Sequence, residues 1–389
     1  MSVRKPVENR ASFRVDHPGT GCYTGHTHRN RSFSPGSFPN DLLRVATLPT
    51  SSQDLRLRRA SLVPDIVEKK STMPILASAL LEATQGEGGG RLRVSAFDLE
   101  IGVTGTHPAE VNRTGSVALK HKELYDIVRM LPEKSCVLRR EANNRVKITS
   151  GAAEFNIVGQ PAEDYPPFPR TEKVQFVTVE PQQLLEMIEK TQFAISADET
   201  RHNLNGVYFE VTQGNVRMVA TDGHRLSLIE RPAPGNFNLK KGVIVPRKGL
   251  LELKRLLDED HEGPCELGFT ETSGVFQRGD LQMVMRLIDG IFPDYMQVIP
   301  KEADRTLTVD RPRLLDTLRR MSILSSDRTT NAVKFELGKD TLKVILTAVD
   351  APQMDVELCD ELSPGVLKPT GQAAGVASRY TAVIMPMRI

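Results

Sequence analysis

Two stretches of the chain share one order of apolar and polar positions, in which a short apolar run leads into a segment with helical spacing. They cover residues 117–133 and 243–259 and lie 126 positions apart. The apolar positions that match are Leu124/Leu250, Ile127/Leu253 and Leu131/Leu257. Because this i, i+3, i+7 spacing puts apolar side chains on one helical face, each stretch is predicted to form a strand followed by an amphipathic helix.

A second repeated pair has the same character. Residues 179–189 match residues 309–319 at a distance of 130 positions. In both, a proline falls in the first helical turn, where its missing N–H leaves no hydrogen bond unmade. Strands that end in aspartate are predicted three times, at Asp98, Asp222 and Asp350. Alternation of apolar and polar residues, as at 145–149, indicates half-buried antiparallel strands.

These repeats predict an α+β fold of three units, each with antiparallel strands covered on one face by helices. We place the units at 41–170, 171–300 and 301–389, after an extension at 1–40. The third unit is shorter than the others by about 40 residues, and we expect the loss to fall after Val356. In the third unit we find a helix at 309–326 but no counterpart of the 117–133 and 243–259 helices. Pro64 also makes the predicted 54–70 helix of the first unit a poor match to the first helix of the other units.

Composition narrows the class of protein. The chain has 39% apolar and 26% charged residues and a net charge of +2, as in a soluble globular protein, and no apolar run approaches the ~20 residues of a membrane helix. No secretory signal is recognisable. Cys22, Cys136, Cys265 and Cys359 have no metal-binding spacing. We therefore expect free thiols in the cytoplasm, with no cofactor.

Residues 1–40 have few aliphatic side chains and no periodicity, which predicts disorder. Cys22, His26 and His28 have metal-ligand chemistry, but a fourth ligand at suitable spacing is missing. The alternatives are a transit peptide, because arginine and serine are frequent, or a start codon placed too far upstream.

Excess basic charge is predicted on the polar side of most of the repeated helices. Examples are Arg56, Arg58, Arg59, Lys120, Lys122, Arg247, Lys248, Lys254, Arg255, Arg313, Arg319 and Arg320. Equivalent helices of a repeat would line one surface, and such a surface would attract phosphates without reading bases. Each helix alone is also explained as a solvated face, and the helix at 180–190 is acidic.

Catalysis finds little support in the sequence. Asp222 and His224 could form a general acid–base pair, but Asp222-Gly223 is also ordinary turn chemistry. Gly-rich residues 86–90 precede a strand rather than a helix, so they do not form a phosphate loop. The Asp-Gly turn, the 291–295 segment and the apolar C-terminal run at 382–389 together suggest one lined or covered site.

Several motifs resemble those of the bacterial sliding clamp, the beta subunit of DNA polymerase III. They are residues 70–76, 204–206, 220–226, 245–249, 292–295 and 385–388. The resemblance implies a non-catalytic homodimeric ring whose helices surround duplex DNA and which a loader ATPase opens. It also implies that polymerases, the loader and repair proteins dock a short linear peptide in a pocket between the second and third units.

By matching positions, the resemblance assigns residues to three surfaces. The peptide pocket would use Leu204, Thr221, Gly223, His224, Arg225, Leu226, Pro293, Val298, Val383, Met385, Pro386 and Met387. Gln297 stands where many relatives have arginine. DNA contacts would come from Lys70, Lys122, Arg201, His202, Asn203, Lys248, Arg319 and Arg320. The dimer contact would pair Phe155 and Ile157 with Ile323 and Leu324.

The short third unit keeps a second hypothesis open. If the missing segment holds the last inner helix, its flanking strands and the outer half of the pocket, a ring would have a gap in its lining and an unpaired sheet edge. The chain could then be a monomeric or decayed relative that binds partner peptides without encircling DNA. The enzyme built on Asp222 and His224 is the third hypothesis.

Overall fold

The structure is a computed structural model that describes most of the chain after residue 42. The described residues are 43–49, 73–86, 89–131, 135–169, 171, 174–258, 263–300, 305–324, 353–358, 365–369 and 379–384. The predicted extension at 1–40, the predicted helix at 54–70, and Lys70, Met385, Pro386 and Met387 lie outside these residues.

The first unit contains eight described strands and one helix. They are β1 (Leu43–Pro49), β2 (Ser78–Gly86), β3 (Gly89–Phe97), β4 (Ile101–Pro108), β5 (Gly115–Lys120), α1 (His121–Met130), β6 (Ser135–Arg140), β7 (Arg145–Ser150) and β8 (Ala153–Val158). The predicted β5–α1 pair and the predicted strand at 145–149 are confirmed.

The second unit repeats this order with two helices. Its elements are β9 (Gln175–Val179), α2 (Pro181–Thr191), β10 (Gly206–Thr212), β11 (Asn215–Thr221), β12 (Arg225–Pro232), β13 (Val243–Pro246), α3 (Arg247–Asp258), β14 (Cys265–Phe269), β15 (Ser273–Arg278) and β16 (Leu281–Arg286). Pro181 opens α2, as its fixed backbone angle favours. Leu250, Leu253 and Leu257 are buried on one face of α3, as their spacing predicts.

The third unit contributes one helix and four strands to the described residues. They are β17 (Arg305–Asp310), α4 (Arg311–Leu324), β18 (Gln353–Leu358), β19 (Gly365–Pro369) and β20 (Arg379–Ile384). The predicted helix at 309–326 is thus confirmed in its position.

Neighbouring units are joined through continuous antiparallel sheets. Strand β16 of the second unit pairs with β4 of the first, and β20 of the third unit pairs with β12 of the second. The results are two eight-stranded sheets, in the orders β5-β2-β3-β4-β16-β15-β14-β9 and β13-β10-β11-β12-β20-β19-β18-β17. A separate four-stranded sheet has the order β1-β6-β7-β8, so β8 forms its edge.

We expected a segment after Val356 to be missing, with the last inner helix and its flanking strands. In the described residues, β18, β19 and β20 pair with β17 in the order in which β14, β15 and β16 pair with β9. No counterpart of α3 lies among the described residues of the third unit. Strand β20, which carries Val383 of the predicted pocket, lies directly beside β12.

The main apolar core crosses the unit boundaries. It is centred on the second unit, where α2 and α3 pack against the sheets, and it includes Ile101 from the first unit and Leu314 and Tyr380 from the third. Because the sheets and this core run through both junctions, the three units form one continuous body in the described residues.

Candidate functional site

The predicted pocket residues meet at the junction between the second and third units. Leu204, Leu226 and Val383 are 7%, 2% and 0% exposed and belong to one apolar cluster. Val298 packs against this cluster. The cluster brings together a short 3-10 turn at 202–204, strand β12, strand β20 and the segment that follows β16. Residues distant in sequence thus line one site.

The Asp222 turn forms one side of this site. Asp222 Oδ1 accepts hydrogen bonds from the backbone N–H groups of His224 and Arg225, each at 2.9 Å. The Thr221 hydroxyl donates to the Arg225 carbonyl oxygen at 2.8 Å and accepts from the Gly223 N–H at 3.1 Å. Gly223 has φ 88, the left-handed conformation that glycine adopts without strain. These bonds fix the turn and leave Gly223, His224 and Arg225 exposed.

Arg225 is held in a defined position although it is exposed. Its Nε lies 3.1 Å from Asp222 Oδ2, and its guanidinium lies 5.5 Å from the centre of the Phe193 ring. The Asp222 carboxylate is therefore used by its own turn and by Arg225. This arrangement explains Asp222 as a structural residue and gives no support to the acid–base pair with His224.

Aromatic rings form the floor of the site. Tyr208 stacks on Phe292 with ring centres 4.9 Å apart and planes within 7°, and Tyr295 lies 6.4 Å from Tyr208. The pattern at 291–295 had suggested Phe292 and Tyr295, whereas Tyr208 and Val366 were missed as site residues. Tyr208 stood in the repeated motif at 205–210, but that motif indicated only a strand.

A network of charged side chains holds the Tyr295 hydroxyl. The Tyr295 hydroxyl donates to Glu210, and Arg217 Nη1 donates to that hydroxyl at 3.4 Å. Arg217 also forms ion pairs with Glu230 and, at 3.7 Å, with Glu210. Burial and the Glu210 carboxylate raise the pKa of Tyr295 far above its ordinary value of 10.0, so the phenol stays neutral and its ring position is fixed.

The rim of the site is apolar and exposed. Ile291 is 88% exposed and Met296 is 50% exposed, and Pro293 is also exposed. Asn203 Nδ2 donates to the Ile291 carbonyl oxygen at 2.9 Å and so ties this segment to the 202–204 turn. Gln297 Nε2 donates to Asp294 Oδ2 at 2.9 Å. An apolar cluster beside a fixed polar turn and an exposed apolar rim is a surface on which apolar side chains of a peptide can bind.

The first unit has an aromatic cluster of its own at the end of β3, formed by residues of that unit alone. Phe97 and Phe168 lie there with ring centres 5.6 Å apart, and Tyr165 is 7% exposed. The Tyr165 hydroxyl accepts from the Phe97 N–H at 2.9 Å and donates to the Ser78 carbonyl oxygen at 3.3 Å. Where the first unit has Phe97 directly before its Asp turn, the second unit has the smaller Thr221.

The predicted DNA-contact residues fall into two groups. Lys122, Arg201, His202, Arg319 and Arg320 are exposed. Arg201 and Arg319 lie within salt-bridge distance of Asp198 (3.5 Å) and Asp316 (3.6 Å), their neighbours in sequence.

The second group is engaged by other residues of the chain. Lys248 pairs with the buried Asp98 carboxylate at 2.5 Å across the first junction, and Asn203 bonds Ile291. Lys254 and Arg255 of α3 also pair with Glu189 and Glu252. The basic charge of this helix is therefore partly neutralised by neighbours.

The predicted dimer residues of the first unit lie on strand β8. Ile157 is 4% exposed within the core of its own unit, and Phe155 packs against the same core. Val158 on the opposite face is 63% exposed. Ile323 and Leu324 fall in the last turn of α4, where the described structure covers only the backbone.

The described part of the chain has two further properties. Within it, no group of three or more histidine, cysteine, aspartate or glutamate side chains is placed to hold a metal ion. None of its helices is both long and apolar enough to cross a membrane.

Comparison with known proteins gives a consistent match. Residues 54–169 match the family model of the DNA polymerase III beta subunit, N-terminal domain, and residues 178–294 match the model of its central domain. A beta sliding clamp of Caulobacter vibrioides is 35% identical over 303 residues, which cover 75% of this chain and 80% of that protein. One of Synechococcus elongatus is 33% identical over 293 residues, which cover 75% and 77%.

Solved structures agree with the sequence matches. A Caulobacter crescentus beta sliding clamp superposes with a TM-score of 0.76 at 28% identity, covering 90% of this chain and 100% of that chain. A Pseudomonas aeruginosa sliding clamp bound to griselimycin gives a TM-score of 0.76 at 26% identity, covering 89% and 100%.

Proposed function

Since this chain belongs to the bacterial beta sliding clamp family, the processivity factors of DNA polymerase III, we propose that the junction between its second and third units binds the short peptide of a polymerase, clamp loader or repair protein. The observation that carries this proposal is the apolar cluster of Leu204, Leu226 and Val383 beside the exposed Asp222 turn. Anchoring of leucine and aromatic side chains in such a slot is a recurring mode of peptide recognition.

A contrast between the first and second units supports this assignment. Before the Asp98 turn of the first unit, Phe97 packs with Phe168 and Tyr165 in a cluster of first-unit residues. At the second junction, the stacked rings of Tyr208 and Phe292 form a floor, and Ile291 and Met296 form an exposed rim. The second junction is therefore the one that offers a ligand exposed apolar contacts.

A labelled peptide containing one leucine and one aromatic anchor tests the pocket. Val298 packs at the edge of the cluster, so we expect Val298→Glu to weaken binding at least ~10-fold, because a charge would lose water on contact with the apolar peptide. Met130→Glu is the matched control, since Met130 is 75% exposed at the end of α1. Equal binding by both variants would contradict the pocket assignment.

We further propose that two copies form a head-to-tail ring around duplex DNA in the cytoplasm, without catalysing a reaction. Both junctions within the chain join a last strand, β16 or β20, to the fourth strand of the preceding unit, β4 or β12. The first unit's own last strand, β8, ends its sheet among the described residues. Applied once more, the same pairing would join β8 to the third unit of a second copy.

Light scattering over a range of concentrations tests the ring. The chain has a mass of 43.1 kDa, and we expect about twice that mass to persist on dilution. A mass near one chain at every concentration would instead support a peptide-binding monomer that does not encircle DNA.

A further inference from the structure

The segment that follows β16 has buried aromatic side chains and exposed apolar side chains in alternation. Phe292 and Tyr295 are buried in the apolar cluster of the site, at 8% and 6% exposure. Next to them in sequence, Ile291 is 88% exposed and Met296 is 50% exposed. Among the described residues, Ile291 is the most exposed of the large apolar side chains. One short segment thus contributes apolar residues to the cluster and presents others to solvent directly beside it.

The backbone that carries the exposed pair is held in place. Asn203 Nδ2 donates to the Ile291 carbonyl oxygen at 2.9 Å. Asp294 Oδ1 accepts from the Met296 N–H at 3.2 Å and so caps the short 3-10 turn at 295–297. Because this backbone is ordered before a ligand arrives, covering the two side chains costs little conformational entropy.

The first unit shows what the repeat holds at the same position. Residues 165–166 of the first unit correspond to residues 292–293 of the second, and the first residue of each pair is buried. The residue before the pair is Asp164 in the first unit, where it is exposed, and Ile291 in the second. An exposed aspartate is well hydrated, whereas an exposed isoleucine gains free energy when a partner covers it. The second unit therefore carries an apolar side chain at a position that the repeat leaves in solvent.

The charge beside these side chains is negative. Asp289 and Asp294 are exposed in the same segment, and no lysine or arginine of the described ranges lies within ion-pair distance of either. On the side of the Asp222 turn, Arg201 and Arg225 each have an aspartate partner, at 3.5 and 3.1 Å. A peptide that crosses the exposed segment therefore meets uncompensated negative charge, which favours a basic residue and disfavours an acidic one.

We propose that the rim formed by Ile291 and Met296 binds the flank of the partner peptide, outside the residues that the apolar cluster anchors, and that this flank carries an apolar residue beside a basic one. This inference rests on the proposed peptide site and names the class of peptide that the site prefers. The occupant follows from continuity: Ile291 adjoins Phe292 and Met296 adjoins Tyr295, so a peptide seated on the cluster has the rim directly beside it.

Three labelled peptides with the same leucine and aromatic anchors test the rim. Their flanks contain only serine and glycine, or one isoleucine and one lysine, or one isoleucine and one glutamate. Both flanks of a peptide carry the same residues, so its direction does not affect the result. By fluorescence anisotropy at low salt, we expect the isoleucine–lysine peptide to bind about 10-fold tighter than the serine–glycine peptide, because isoleucine covers the rim. The isoleucine–glutamate peptide should bind ~3-fold weaker than the isoleucine–lysine peptide.

Three variants locate the effect. In Ile291→Ser/Met296→Ser, the affinity ratio of the isoleucine–lysine and serine–glycine peptides should fall from about 10 to near 1, because the apolar contact is gone. Met130→Ser is the matched control, since Met130 is 75% exposed at the end of α1, and it should keep the ratio of wild type. Asp289→Lys should abolish the preference for lysine over glutamate, because a lysine there balances Asp294.

The outcomes separate the rim from the anchoring site. Equal binding of the serine–glycine and isoleucine–lysine peptides by wild type would overturn the proposal, as would a gain that survives in Ile291→Ser/Met296→Ser. An unchanged lysine preference in Asp289→Lys would overturn the basic part of the proposed flank. If no peptide binds, or if the serine–glycine peptide binds Val298→Glu as well as wild type, the anchoring site itself is wrong and the rim falls with it.

Discussion

At the scale of single residues, the ion pair between Lys248 and Asp98 shows how position decides the role of a charge. Lys248 reads in the sequence as one more basic residue of a helix, but its ammonium lies 2.5 Å from a carboxylate whose side chain is 1% exposed. The second and first units contribute one partner each, so the pair helps to fix their junction. A buried carboxylate that loses its partner is costly, whereas an exposed one is rehydrated.

Replacing Lys248 by methionine should therefore lower the free energy of unfolding by about 1–3 kcal/mol. Lys254→Met is the matched change, because Lys254 pairs with Glu189, whose side chain is 48% exposed. For that variant the loss should stay below about 1 kcal/mol. Urea denaturation of both proteins measures the difference, and equal losses would show that the buried pair does not stabilise the junction.

The buried thiol of Cys265 gives a dependence on pH. Burial raises the pKa of Cys265 from 9.0 to about 11, whereas the thiol of the unfolded chain has a pKa of about 8.5. Because the raised pKa belongs to the folded state, the stabilisation that the protonated Cys265 thiol contributes is fully present below pH ~8.5. This contribution is lost as the pH rises towards about 11. Urea unfolding of wild type and Cys265→Ala at pH 8 and pH 10.5 should show a smaller loss in the variant, by up to about 2–3 kcal/mol. Identical losses in the two proteins would show that the Cys265 thiol does not cause this pH dependence.

At the scale of elements, the turns that follow Asp98 and Asp222 have the same conformation but differ in backbone strain. In the second unit the residue after the aspartate is Gly223 with φ 88, and in the first unit it is Leu99 with φ 77. A left-handed conformation costs a residue with a Cβ atom roughly 1–2 kcal/mol, and glycine avoids this cost. Leu99 is also 45% exposed, so its side chain gains little from packing.

Substitutions at the two turns should have opposite effects. Leu99→Gly is expected to raise the free energy of unfolding by up to about 1 kcal/mol, and Gly223→Ala to lower it by about 1 kcal/mol. Thermal or urea unfolding of both variants checks the signs. A stabilising Gly223→Ala would show that the turn is not held in the left-handed conformation.

At the scale of the whole molecule, the proposed DNA contacts depend on where basic residues remain after internal pairing. The net charge is only +2, and Lys248 and Lys254 are engaged by Asp98 and Glu189. Arg313 and Arg320 of α4 are exposed. We expect contacts with phosphates to come from exposed residues such as these two arginines. The contacts should weaken as the salt concentration rises, because binding to DNA releases counterions.

Arg313→Glu/Arg320→Glu should reduce affinity for duplex DNA and lower the salt slope of log K by about 2, because each lost phosphate contact contributes about 0.9. Lys240→Glu/Lys241→Glu is the control with the same change in net charge, in the exposed loop between β12 and β13. Fluorescence anisotropy across a salt series measures both. A change of slope in the control equal to that of the α4 variant would mean that net charge, rather than α4, governs binding.

The sequence by itself determined the repeat, the element order and the family, since helical spacing and strand alternation are local properties of the chain. It also pointed to the Asp222 turn, Leu226 and the 291–295 segment. It missed Tyr208 and Val366, because nothing in the sequence around a strand residue tells which distant strands will lie beside it. Only the tertiary structure decided that Lys248 pairs with Asp98, that β20 lies beside β12, and that β18 lies between β17 and β19. Such pairings are set by contacts across large sequence separations, where alternating strands fit more than one partner.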